Sequence, residues 1–133
     1  MKSDIKNRND IEQLINKFYD KVKQDEVIGF IFNDVVKVNW EKHLPVMYDF
    51  WENIIFLSNK YAGNPMAVHM NLNQLTPLKK EHFERWIKLF AETVNELFEG
   101  KNATIAKEKA KGISNIMKIK IASALNSGIS FKQ

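Results

Sequence analysis

The sequence predicts an all-α protein with four main helices. Three observations carry that expectation. Apolar residues recur at three- and four-residue steps over most of the chain, cap and stop residues punctuate those runs, and no strand-like alternation, hairpin or internal repeat appears. With 133 residues there is room for a single domain, 1–133. Within it, residues 1–9 form an N-terminal extension and 128–133 a C-terminal tail, both expected to be loosely ordered.

The first helix is expected after Asp10, which can cap it with Gln13 as the reciprocal partner. Ile11, Leu14, Ile15, Phe18, Tyr19 and Val22 then lie on one face. Asp25 can cap a short second piece running through Phe32, weakened by Gly29. A second long helix starts near Asn39, and Trp40, His43, Met47, Phe50, Trp51, Ile54 and Ile55 form its wide aromatic face. Pro45 falls inside it and would kink it or confine the regular part to the residues after the proline, with an exit at Leu57-Ser58-Asn59. Thr76 as cap and Pro77 in the first turn open the third helix, whose face is Phe83, Trp86, Ile87, Phe90, Val94 and Leu97, with Gly100 as its stop. The fourth runs from after Asn102 to about Asn126, and Gly128 ends it.

The stretch Ser58 to Leu75 does not fit a plain bundle. It contains Gly63, Pro65, Asn59, Asn64, Asn71 and Asn73 and keeps no period. Links between helices in small bundles usually run about 2–8 residues, and longer ones tend to be functional or disordered. This one carries His69 among Met66, Val68, Met70, Leu72 and Leu75. Apolar side chains in a long loop need a surface to pack on, and a large flat apolar ligand would supply one.

Composition removes many chemistries. The absence of cysteine excludes disulfides, thiolate metal sites and cysteine nucleophiles. The only histidines are His43, His69 and His82, and no two share a helical turn as zinc ligands would. There is no GxSxG, P-loop or GxGxxG. Asp25-Glu26 and Glu81/Glu84 read as surface or helix-start charges. The charged N-terminus lacks the apolar core of a secretory signal, and the apolar runs near 27–32 and 54–57 are too short for a bilayer, so a cytoplasmic protein without membrane attachment is expected. The net charge of +4 raises the question of nucleic acid. Yet Lys107, Lys109, Lys111, Lys118 and Lys120 interleave with Ile105, Ile113, Ile116, Met117 and Ile121, the pattern of a solvated helix face, and no nucleic-acid partner is expected.

Residue by residue, each candidate also has a plain structural role. His69 fits a surface loop, His43 a half-buried imidazole bonded to a carbonyl, Tyr19 a rim residue with a wet hydroxyl, and Trp51 and Trp86 core. Composition and spacing alone reach a helical domain with room for a ligand.

In order along the chain, however, these residues resemble the truncated haemoglobins, specifically the third group of that family, from about Ile11 to Ser127. Phe18-Tyr19-Asp20-Lys21-Val22 is similar to the early-helix motif whose tyrosine points at the bound ligand. Ile31-Phe32-Asn33 resembles the segment that sets a phenylalanine against haem, and Trp40-Glu41-Lys42-His43 through Phe50-Trp51 resembles the distal helix. Met66-Ala67-Val68-His69-Met70-Asn71-Leu72, shortly before the helix with Glu81-His82-Phe83-Glu84-Arg85-Trp86, is similar to the proximal segment. No Gly-Gly pair occurs, a feature of the other two groups, whereas Pro45 departs from the pattern and leaves the inward or outward position of His43 open.

The resemblance implies a truncated globin fold, a 2-over-2 helical sandwich around haem b (iron protoporphyrin IX). It makes His69 the iron ligand, as a neutral imidazole, and Tyr19, His43 and Trp86 the distal ligand-binding set. Phe18, Phe32, Met47, Phe50, Trp51, Met66, Leu72, Leu75, Phe83 and Phe90 would line the haem pocket. The implied function is binding of dioxygen, with nitric oxide, carbon monoxide or peroxide as other small ligands. Two alternatives stand beside it: a peroxidase or nitric oxide dioxygenase working with an unidentified reductase, and a haem-free helical interaction domain.

Overall fold

The computed structural model describes residues 2–35, 40–57 and 79–127, with side chains apart from 34, 35 and 120–127. Helix α1 spans Arg8–Gln24, a short π-helical turn covers Ile31–Val35, α2 spans Trp40–Phe56, α3 Lys80–Leu97 and α4 Lys101–Ser127. No strand occurs among the described residues.

Helix α1 buries the six residues that its periodicity marks: Ile11, Leu14, Ile15, Phe18, Tyr19 and Val22. Its cap differs from the expectation. Asn7, in extended backbone, accepts the Asp10 N–H at 3.0 Å, and the Asp10 carboxylate accepts the Lys6 N–H at 2.8 Å. Asn7 is thus the cap, while the Asp10 carboxylate in the first turn accepts from the residue before the cap and favours the positive helix end. Beyond α1, the Asp25 carboxylate accepts the Val27 and Ile28 N–H groups at 2.9 and 3.0 Å, capping the turn as expected. The same carboxylate, only 3% exposed, receives the Arg85 Nε–H of α3 at 2.7 Å, so it is a buried clamp as well as a helix-start charge.

Helix α2 is helical through Pro45, whose ring faces solvent. The hydrogen bond that proline removes is therefore lost on a wet side, where water replaces it. The helix ends at Phe56, and Leu57 comes next in the left-handed region at φ 57°, its N–H donating to the Asn53 carbonyl at 2.8 Å. Arg8 pins α2 to the start of α1, donating to Asp49 at 2.6 Å and Glu52 at 3.0 Å.

Helix α3 begins at Lys80, later than Thr76 and Pro77 predict; those two lie outside the described residues. The Lys79 N–H instead donates to His82 Nδ1 at 3.1 Å. Helix α4 is capped from the N-terminal extension. Asp4 accepts the Asn102 and Ala103 N–H groups, both at 2.9 Å, Asn102 Nδ2 donates to the Ile5 carbonyl at 2.7 Å, and Ile5 is fully buried. Gly100 lets Asp4 approach: its φ is +144°, and a Cβ there would lie 2.6 Å from the Asp4 Cγ.

Helix α1 packs against α2 and α3, and α4 packs against α3 and α2, a two-over-two arrangement. On α4 the buried face is Ala103, Ala106, Ala110, Ser114 and Met117, while Ile116 is exposed. Small residues at three- and four-residue steps let α4 approach its neighbours closely, and the lysines described on α4 keep their solvated side.

Candidate functional site

Adjacent residues on α1 serve different neighbours. Tyr19 turns toward α2, where its ring lies 5.3 Å from His43 and 5.1 Å from Trp40. Phe18 turns toward α3, edge-on to Trp86 at 5.8 Å and to Phe90 at 5.1 Å. Trp51 of α2 stacks on Phe90 at 4.7 Å, and Trp86 stacks on the same ring at 5.9 Å. A continuous aromatic wall therefore runs from His43 through Tyr19, Phe18 and Phe90 to Trp51 and Trp86.

Phe32, carried by the π-helical turn, meets the Tyr19 ring at 6.2 Å. Phe50 sets its edge against Trp51 at 5.3 Å, Met47 packs against the core, and Phe83 is buried. The structure thus links the rings of Phe18, Tyr19, Phe32, His43, Phe50, Trp51, Trp86 and Phe90, and places Met47 and Phe83 in the same hydrophobic core. His69, Met66, Leu72 and Leu75 lie outside the described residues. Among the described residues no group of three or more histidine, cysteine, aspartate or glutamate side chains is placed to hold a metal ion.

The polar atoms of this wall are few. The Tyr19 hydroxyl approaches His43 Nε2 at 3.4 Å, so His43 faces inward beside it despite Pro45. That separation is long for an O–H···N hydrogen bond, and which of the two groups donates depends on the imidazole tautomer. Burial pushes the Tyr19 phenol well above the ordinary tyrosine value, so it stays protonated and able to donate. Trp86 is half-buried, its ring nearly perpendicular to that of Phe18.

The site reading of the sequence misses Trp40. It lies among Tyr19, His43 and Phe32, one helical turn before His43 on the same face, and that three-residue spacing is the signal that marks it. The Asp25–Arg85 pair has no such local mark, since its partners are far apart in sequence and meet only through the fold.

Comparison with known proteins bears on this arrangement. No family model matches the chain. It is 30% identical over 118 residues to the curated "Group 3 truncated hemoglobin ctb" of Campylobacter jejuni, covering 86% of this chain and 91% of that one. Its fold is similar to the crystal structure of group III truncated hemoglobin from Campylobacter jejuni, with a TM-score of 0.79 and 28% identity over 91% of this chain and 95% of that chain. With that identity over most of both chains and the same two-over-two helical architecture, this chain belongs to the truncated haemoglobin family, in its third group.

Proposed function

We propose that this chain is a haem-b protein that binds dioxygen and other small diatomic ligands, with His69 on the iron and Tyr19, Trp86 and His43 facing the ligand. The observation that carries the reading is the Tyr19 hydroxyl: buried, protonated, set in an aromatic wall, and only loosely engaged by His43 at 3.4 Å. A buried hydroxyl held only by a long contact gains from a closer acceptor, which an iron-bound ligand would provide. The residues present fit haem, because its flat apolar macrocycle needs a wall of this kind and its ligand needs a few convergent donors.

Bound haem would supply an iron centre that coordinates a diatomic molecule and polarises it. The Tyr19 O–H and the Trp86 N–H would donate hydrogen bonds to that molecule, and His43 would add a third polar group from α2. Phe18, Phe32, Met47, Phe50, Trp51, Phe83 and Phe90 exclude water, which strengthens those hydrogen bonds. Met66, Leu72 and Leu75 would close the wall on the His69 side. His69 would hold the iron as a neutral imidazole. Dioxygen, nitric oxide, carbon monoxide and peroxide are the ligands that fit. Several donors favour slow release, which suits chemistry or sensing with a partner reductase better than transport. No helix among the described residues is long and apolar enough to cross a membrane, and we place the protein in the cytoplasm.

The test is the visible spectrum of the purified protein. A Soret band that is lost or shifted in His69→Ala supports haem and its ligand together. No Soret band after reconstitution with haem, or an unchanged one in His69→Ala, would overturn the assignment.

A further inference from the structure

The geometry points to Trp40 as a positioning residue that holds His43 inward against Tyr19, with Trp40 itself held by the Lys23 ammonium. The inference rests on the ligand-binding role proposed above for the Tyr19–His43 face.

Trp40, Tyr19 and His43 form a closed triangle of rings. Trp40 lies 5.1 Å from Tyr19 and 5.6 Å edge-on from His43, and Tyr19 lies 5.3 Å from His43. Phe32 backs the triangle, stacked with Trp40 at 6.2 Å. An outward swing of His43 would break its contacts with both other rings at once. Trp40 and His43 share a face of α2, three residues apart, so the tryptophan supports the histidine from the preceding turn.

Trp40 sits in the first turn of α2, where backbone hydrogen bonding holds a helix least. Its position is fixed from outside the helix. Lys23, near the end of α1, places its ammonium 4.9 Å from the Trp40 ring centre, and Asp20 holds the same ammonium at 3.6 Å. The Lys23 carbonyl also accepts from Asn33 Nδ2 at 2.8 Å. The end of α1, the π-helical turn and the start of α2 therefore converge on this tryptophan, and movement of His43 is coupled to all three.

Carbon monoxide association with the ferrous protein, measured by flash photolysis, tests the role. Trp40→Ala is expected to speed association about fivefold, the scale of one lost aromatic pair, while Trp40→Phe stays near the parent. Lys23→Met, which leaves the buried rings unaltered and keeps the test open should Trp40→Ala fail to fold, is expected to give about twofold. In a His43→Ala background both substitutions should change nothing further. An effect of the same size in that background, or none in the parent, overturns the proposal. A second readout is the proton NMR cross-peak between the His43 and Tyr19 rings, expected to persist in Trp40→Phe and to weaken in Lys23→Met and Trp40→Ala. It is read with or without haem, so a protein that binds no carbon monoxide would sink the function while this measurement still decides the positioning role. An undiminished cross-peak in Lys23→Met and Trp40→Ala overturns it.

Discussion

Asp25→Ala is expected to destabilise the protein by about 2 kcal/mol, a figure set by the bonds its carboxylate makes. It accepts two backbone N–H groups, from Val27 and Ile28, and losing a cap of this kind costs about 1 kcal/mol. It also receives the Arg85 Nε–H at 2.7 Å. The carboxylate is 3% exposed but the Arg85 side chain is 34% exposed, so water replaces part of the lost bond on the arginine side. That places the pair near the upper end of partly exposed ion pairs, about 1 kcal/mol. Asp25→Asn keeps an acceptor for the cap and loses the charge, so about half the effect is expected from it.

Thermal unfolding monitored by circular dichroism at near-neutral pH reads these values, with haem content matched because a bound cofactor stabilises on its own account. At this chain length Asp25→Ala should lower Tm by about 8 °C. The cycle with Arg85→Met should return a coupling of about 1 kcal/mol. The pH dependence adds a check. Burial raises the Asp25 carboxyl, but the Arg85 guanidinium and the Ile28 and Val27 N–H groups outweigh it and hold the group below its ordinary value. A depressed carboxylate stabilises above its unfolded value of about 3.9 and loses that contribution as pH falls through the folded value. The gap between parent and Asp25→Ala should therefore close in acid. A loss under about 0.5 kcal/mol for Asp25→Ala, or equal losses for alanine and asparagine, would refute the reasoning.

Four further outcomes are expected. Tyr19→Phe and Trp86→Phe should each speed dioxygen release about tenfold, the equivalent of one donated hydrogen bond, as measured by stopped-flow displacement; unchanged rates would remove the donor role. Burial pushes the His82 imidazole below its ordinary value, so stability should be complete above about pH 6.5 and fall as pH drops through the folded value; in His82→Ala that component of the slope should vanish. Gly112→Ala, on an exposed stretch of α4 where a Cβ meets nothing within 4 Å, should stabilise by about 0.5–1 kcal/mol in urea unfolding. Gly100→Ala should instead destabilise by at least about 1 kcal/mol, since φ is +144° and the new Cβ collides with the Asp4 carboxyl that caps α4.

The features readable in the sequence were local and periodic. The buried face of α1 is encoded in its three- and four-residue steps, because every residue of that stripe meets a neighbouring helix. Caps were harder. Asn7 and Asp10 are both good cap residues within one turn; Asn7 caps by accepting the Asp10 N–H, and the Asp10 carboxylate in the first turn accepts the Lys6 N–H instead. On α4 the apolar residues that interleave with the lysines divide: Met117 is buried with Ala103, Ala106 and Ala110, Ile113 packs at the edge of the core, and Ile116 is exposed. Asp4 on Asn102 and Asp25 on Arg85 join segments distant in sequence, and no periodic signal encodes such pairs.

The pair Phe18-Tyr19 shows how one helix can serve a site from two sides. Successive helical residues point about 100° apart, so a helix flanked on only one side buries one of two neighbours and exposes the other. Helix α1 is flanked by both α2 and α3, and both rings are buried, at 1% and 7% exposure. The polar ring faces the helix that carries His43 and the apolar ring faces the helix that carries Trp86. A hydroxyl at position 18 would point at Phe90 and Trp86, a wholly aromatic setting with no imidazole to meet it. The order Phe-Tyr is therefore dictated by the packing: exchanging the two residues keeps composition and periodicity unchanged, yet it moves the buried hydroxyl away from His43 and strands it among apolar rings, which costs stability as well as the donor.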